Sequence, residues 1–463
     1  MQFWFLVLIG VGVACSPPAQ PRKAWLHDQI VDDNRVWLTR DYARVAEKFQ
    51  EMNEERFNYM RGTLSIWLND LNRPSGSWFQ TQFLNSLDAT EVLIVGDPHP
   101  ENLATFHTPG GSIVFGFNDL DASQIGPWIL DLHRSVQAMA SLSEASLGCE
   151  ESCITEMGEA LAEGYVTTLQ TGQWLDPGNW SVLSQDLVAM AQEEGDTKSE
   201  YSRFVRGDGM LRFGTTLQDD GDGVLEMTPE EAAQVDRLFK SYKQRSGHPV
   251  ILLDAVRVFG KGVSSLPALR YRWHVENQDT QERLLLNVRE VLDAPLLPNG
   301  LPALQSGVFQ DNAERVLEAS RAVWEPSDSD PFFHTAYDGA QVFKALTISG
   351  YQQDFDTGWL ADRWDSGEIT EADRREFFFE IGAAIAYAHL RGWSLSGRDS
   401  GEVIVEDIAA GGGLTALQRE LSESAQAQLQ LLNEDHELFG ALLREQGALL
   451  GAERLVNGVG EVQ

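Results

Sequence analysis

Residues 96–134 read GDPHPENLATFHTPGGSIVFGFNDLDASQIGPWILDLHR. Asp97 follows the apolar run Glu91–Val95 (EVLIV), which has the makings of a buried strand ending at Gly96. Gly110-Gly111 is a turn signal, and Ser112–Phe117 (SIVFGF) reads as a second strand. Asp119 and Asp121 follow that strand, and Asp131 opens a helix expected over Leu130–Leu142. A strand–loop–strand hairpin brings the two strand ends together, so that Asp97, Asn102 and Asp119 face one pocket. Oxygen donors of this kind suit a hard divalent cation, magnesium or manganese, with water and substrate phosphates completing its shell. A spare carboxylate nearby can accept the proton of an attacking hydroxyl. Phosphoryl transfer needs little beyond positioning and charge neutralisation. Taken singly, each Asp is a turn former or helix cap; their clustering at strand ends is what argues for a site. His99, His107 and His133 read as packing or surface residues.

The surrounding chain has 463 residues and a formal net charge of −35, with 43% hydrophobic residues. Single cores stop growing near about 250–300 residues, so two lobes or domains are expected. The apolar content supports a folded chain rather than a disordered polyanion. A pI near 4.5 argues against nucleic acid as a partner, since phosphates need Lys and Arg. The acids are densest at Asp219–Glu231 and Glu420–Glu437, read as solvated surface. Asp220-Gly-Asp-Gly lacks the spacing of a calcium loop and is taken as a turn.

The apolar run Phe3–Val13 is too short to span a bilayer. Small residues and Cys15 follow it, which resembles a bacterial lipoprotein signal with lipid on the Cys15 sulfur. That resemblance implies an exported cell-envelope lipoprotein held to the membrane by its N-terminal lipid; an uncleaved signal or interfacial anchor is the alternative. In an oxidising compartment Cys149 and Cys153 could close a small disulfide, or they are two thiols one helical turn apart.

Apolar periodicity near 3.6 predicts helices over Val36–Leu71, Thr155–Leu169, Trp180–Glu194, Pro229–Arg245, Asn312–Trp324 and Thr415–Leu450. Asp373–Leu390 is expected to be amphipathic, with one apolar face. Phe204–Glu226 reads as a loop or hairpin. Between Ile251 and Ile348 the pattern turns to alternation, as in VRVFGKG, LRYRWHVEN and RLLLNVREV, which predicts an antiparallel sheet. The organisation is therefore α+β. Residues 1–20 form a signal and tether, 21–245 a mainly helical lobe, 246–350 a small β-rich region and 351–463 a helical end.

Asp97-Pro-His-Pro-Glu-Asn102 resembles the catalytic loop of protein kinases and aminoglycoside phosphotransferases, in which an Asn follows the Asp five residues on. Asn118-Asp119-Leu120-Asp121 resembles their metal-binding Asp loop. Gly126-Pro-Trp-Ile-Leu-Asp131-Leu resembles the phosphotransferase pattern in which a later Asp braces that loop. Most of the chain is similar to a bacterial family catalogued as domain of unknown function 2252. Its signature falls at Phe57–Gly62, with Tyr59 for the second Phe, and at Gly96–Arg134.

These resemblances imply a protein-kinase-like two-lobed fold in circularly permuted order, the helical catalytic lobe first and the sheet lobe second. Asp97 would be the base, Asn102 and Asp119 the metal ligands, Asp121 an accessory acid, and Asp131 with Arg134 the brace. Phe259-Gly260-Lys261-Gly262 resembles a degraded Gly-rich phosphate loop. Arg289 stands where a lysine would hold ATP or another nucleotide, and Glu318 on Arg315–Arg321 would be its partner. Ile381–His389 resembles the helix that leads into the catalytic loop. Three functions follow: a metal-dependent phosphotransferase acting on a small-molecule or protein acceptor, an inactive descendant that binds a ligand or partner, and a metal-dependent phosphoesterase. The Asp97-Pro-His99 triplet suits the last, but its further histidine motifs are missing.

Overall fold

A computed structural model describes residues 20–71, 80–108, 110–175, 177–195, 197–212, 223–259, 262–295, 297, 307–324, 326–327 and 329–452. Cys15, Gly260 and Lys261 lie outside the described residues.

Five helices come first: α1 (Arg22–Asp33), α2 (Arg35–Arg40), α3 (Tyr42–Glu54), α4 (Arg56–Gly62) and α5 (Leu64–Leu71). Where one helix was expected over Val36–Leu71, the chain breaks three times. Asp41 leaves the helical conformation and caps α3 by accepting from the Arg44 amide. Glu55 is extended, and Thr63 closes α4. The apolar period survives these breaks because each short helix turns its buried residues to the same core, Phe49, Met52, Met60 and Leu68 among them.

Four short strands follow: β1 (Val92–Ile94), β2 (Leu103–His107), β3 (Ile113–Phe117) and β4 (Gln124–Gly126). The pairing corrects the expected hairpin. β3 pairs antiparallel with β2, while β1 pairs with β4. The strand after Asn102 escaped notice because LATFH lacks a strong alternation. The two ladders still bring the ends of β1 and β3 together.

Next come α6 (Ile129–Ser146), α7 (Glu151–Thr171), α8 (Val182–Glu194) and α9 (Thr197–Phe204). Cys149 and Cys153 are joined as a disulfide, with Cys149 ahead of α7 rather than within it. A six-stranded antiparallel sheet then forms from β5 (Gly223–Leu225), β6 (Val250–Phe259), β7 (Arg270–Asn277), β8 (Arg283–Glu290), β9 (His334–Asp338) and β10 (Gln341–Thr347). Its spatial order is β5-β6-β7-β8-β10-β9. α10 (Pro229–Ser246) precedes β6, and α11 (Asn312–Val323) falls between β8 and β9. Val235, Leu238 and Tyr242 of α10 share a core with Tyr271, Trp273 and Phe343 of the sheet. α10 therefore packs with the β region, although the sequence reading placed it in the helical lobe.

α12 (Thr357–Ser366), α13 (Glu371–Arg391), α14 (Ser400–Ala410) and α15 (Gly413–Gln446) complete the chain. They share one core with the N-terminal helices. Arg22 on α1 pairs with Asp70 on α5 and Asp435 on α15, so both ends of the described chain meet there. α13 crosses α7 closely: a Cβ on Gly382 would lie 2.0 Å from the Leu161 carbonyl oxygen, and one on Gly164 1.9 Å from that of Phe379. The expected single apolar face of α13 is corrected, because even Arg374, Glu380 and His389 are buried. Among the described residues no helix is long and apolar enough to cross a membrane.

Candidate functional site

The loop after β1 is shaped by glycine and braced by one acid. Gly96 has φ +87°, and a Cβ there would lie 2.2 Å from the Ala122 carbonyl oxygen. Only glycine meets both conditions. Asp131, in the first turn of α6 and fully buried, accepts from the Val95 amide at 2.7 Å and the Gly96 amide at 2.9 Å. His389 of α13 lies 3.0 Å from the same carboxylate, and Tyr165 of α7 lies 2.7 Å from the other nitrogen of that imidazole. Asp131 thus holds the loop where the sequence expected a brace.

Arg134, one turn further along α6, donates through Nε to Asp97 Oδ1 at 2.7 Å. Its other nitrogens reach the Met60 carbonyl and Gln137. Met60 belongs to the Phe57–Gly62 stretch. Arg61 beside it pairs with Glu101 at 2.5 Å, and the Phe57 ring meets His99 edge-on. α4 is therefore a buttress for the loop. Asn102 donates to the Asp97 carbonyl at 3.0 Å and accepts from the Asn118 amide through its own carbonyl at 2.8 Å. That bond ties the loop to the Asp119 turn.

Asp119 and Asp121 follow β3 side by side. Lys344, buried on β10, reaches Asp119 Oδ1 at 3.3 Å and Asp121 Oδ1 at 2.5 Å. Arg289, directly across the ladder from Lys344, lies 3.7 Å from Asp119 Oδ2. Burial opposes ionisation of Asp119, but Lys344 and Arg289 outweigh it and hold that carboxyl well below the usual range. Burial and the neighbouring Asp119 charge push Asp121 the other way. Beneath them Arg315 of α11 donates to the Asp121 and Ser123 carbonyls and fixes the turn.

Asp97, His99, Asn102, Asp119 and Asp121 line one cavity of about 610 Å³, together with Gly262–Ser265 and the segment after β8. Asp32, Asp33, Trp37 and Arg40 of α1 and α2 form part of its wall, and Arg40 is ion-paired with Glu290 at the end of β8. Burial lowers the His99 imidazole to about 4, so it is neutral at physiological pH. The structure thus gathers Asp97, Asn102 and Asp119, the three residues expected to form the core, with Asp121, the expected accessory acid; it adds Gly262 and Arg289 beside them and sets Asp131 and Arg134 behind. It does not bring in Glu318, which faces solvent and pairs with Arg321 at 3.3 Å. Lys344 and Arg315 were missed. A signal for Lys344 existed, a lone charge in the apolar strand QVFKALT.

The donor set of Asp119, Asp121 and Asn102 fits magnesium or manganese in type, being all oxygen. It is short in number: among the described residues no group of three or more His, Cys, Asp or Glu is placed to hold a metal ion. Substrate oxygens and water would have to complete the shell, and Lys344 already sits between the two carboxylates.

Burial pushes the Glu101 carboxyl up to about 7, outweighing Arg61. An acid whose pKa rises on folding binds its proton more tightly in the folded state. Its contribution is present below the ordinary value of 4.5 and is lost as pH rises through about 7. Glu101→Gln is therefore expected to flatten the decline in stability between those two values. Urea titrations at both ends of that window read it; an equal slope in the two proteins would contradict the assignment.

The geometry defines a mixed α+β protein in which an acid-lined cavity opens between a helical core and an antiparallel sheet. The chain belongs to the family described as "Uncharacterized protein conserved in bacteria (DUF2252)", whose model matches residues 40–442. No curated protein and no solved structure matches it. The match begins where α2 ends, so α1 and most of α2, which help to wall the cavity, precede it.

Proposed function

We propose that this chain is a divalent-cation-dependent phosphotransferase of kinase-like, circularly permuted architecture, carried on an exported lipoprotein. The observation that carries the reading is the convergence of Asp97, Asn102, Asp119 and Asp121 on one cavity beneath the Gly262–Ser265 loop. The order of the sheet supports it. β6, β7 and β8 form a meander, α11 follows, and β9–β10 close the sheet. The loop expected to cover phosphates joins β6 to β7, and the cation expected on β8 is Arg289. Permutation is supported by β1, whose Val92 bridges Ser394 just after α13. In this reading the end of α13 meets the start of β1, as it would if the chain ran from that helix into the catalytic loop. The disulfide suits an oxidising compartment.

In this reading Arg134 fixes one oxygen of Asp97, and the other accepts the proton of an acceptor hydroxyl. Asn102, Asp119 and Asp121 would hold the cation, which supplies charge neutralisation to the transferring phosphoryl group. Lys344 and Arg289 hold Asp119 ionised and ready for that role. The same ion pairs favour the alternative of a binding protein without turnover, since they already neutralise the acids.

Calorimetry of the full chain with magnesium and ATP separates the readings. Saturable, EDTA-sensitive binding is expected, weakened at least about tenfold in Asp119→Ala. A folded wild type that binds no nucleotide would leave the non-catalytic reading standing. Phosphate release from simple esters without nucleotide would favour the phosphoesterase.

A further inference from the structure

β3 borders a second cavity, of about 120 Å³, that shares no lining residue with the acid-lined one. Its walls are aromatic: Phe106, Phe115, Trp174, Trp180, Trp324 and Tyr387. No charged residue lies among its described lining. The space exists because three small residues stop short of it. Ala384 and Ala388 stand one turn apart on α13, and no heavy atom lies within 4 Å of where a Gly116 Cβ would be. The space is partly open, with Val114, Gly116, Trp174 and Tyr387 half-buried at its walls, so a small guest can reach it. Here stiff rings and the β3 ladder keep it from collapsing.

The chemistry of the walls selects the occupant. The Trp180 indole N–H already donates to the Leu175 carbonyl at 3.1 Å, and that of Trp324 to the Phe117 carbonyl at 2.9 Å. The Ser329 hydroxyl donates to the Pro326 carbonyl at 2.6 Å. A charged guest would enter desolvated and find no counter-ion; among the described lining the indole N–H without an acceptor is that of Trp174, which the face of a neutral ring can meet. The Phe115 and Trp174 rings lie 19° from parallel, 6.5 Å between centroids, which gives the space flat sides. A dry apolar cavity of about 150 Å³ is large enough to take up benzene.

We propose that this cavity is a binding site for a small, neutral, flat aromatic molecule, of one ring or little more. It is independent of the phosphotransferase reading, because the two cavities share no lining residue. One of its walls is nevertheless β3, the strand that Asp119 follows.

The test is ¹⁹F NMR of the full chain with fluorobenzene and, separately, 4-fluorobenzoate. Fluorobenzene is expected to bind saturably, and the anion at least tenfold more weakly. Gly116→Leu and Ala384→Leu fill the space from different walls, and each should weaken fluorobenzene binding at least tenfold without lowering the melting temperature. Absence of saturable binding by the wild type, or equal binding of the anion, overturns the proposal whatever the variants do. So does wild-type affinity in both filled variants.

Discussion

Asp131→Ala is expected to destabilise the fold by about 4 kcal/mol, a large part of the stability of a typical domain. Asp131 is fully buried and serves three partners at once. Its removal leaves the Val95 and Gly96 amides without their acceptor and His389 without its carboxylate. An orphaned buried donor costs about 1–3 kcal/mol, and an acceptor that was charged puts each loss toward the upper end. Asp131→Asn keeps one acceptor oxygen but turns an NH₂ toward an amide N–H, so about half the loss is expected. Chemical denaturation with unchanged m-values reads both. A loss below about 1 kcal/mol for the alanine variant would show that the loop holds its shape without the brace.

Why the brace and the loop were legible while other parts were not is a matter of distance along the chain. Asp97, Asn102, Asp119, Asp121, Asp131 and Arg134 fall within one stretch, and short ladders and one helix suffice to gather them. Lys344 is 225 residues from Asp119, and its arrival depends on β10 pairing with β8 in one register. A shift of one residue would turn it to the other face. Nothing local in QVFKALT fixes that register. Glu318 misled for a related reason. Periodicity identifies α11 as a helix but not which turn faces the site, and the side chain that reaches the Asp121 turn is Arg315. α1 was unread because its buried stripe is only Leu26 and Ile30, among Lys, His and Asp. α13 misled in the opposite sense: its polar residues suggested an outer face, yet Glu380 is buried with the Ser181 and Ser184 hydroxyls donating to it.

The largest effect expected on function is that of Asp97→Asn. On the phosphotransferase reading it should lower turnover by about 10³-fold, within the usual worth of a general base, and leave magnesium-dependent nucleotide binding intact. Asp97 Oδ1 is held by Arg134, which is itself buried and bound to Met60 and Gln137, so the asparagine can keep the same rotamer. The change removes the proton acceptor and also the negative charge that pairs with the buried Arg134, so some loss of stability is expected beside it and turnover is compared per folded protein. Asp119→Ala should fail one step earlier, at binding, because it removes a cation ligand. His99 is the competing base, at 3.9 Å from Asp97 Oδ2. It is a poor one: lowered to about 4 by burial, its imidazole is a weak acceptor and does not change charge between about pH 5 and 8. The pH–rate profile of magnesium-dependent ADP release should then lack a limb near the ordinary imidazole value. Asp97→Asn with wild-type turnover, or a limb near pH 6.5 that vanishes in His99→Gln, would move the base from Asp97 to the histidine. Loss of nucleotide binding in Asp97→Asn would instead make Asp97 a ligand-holding residue, because a base that acts only in the transfer step has no reason to weaken the complex before it.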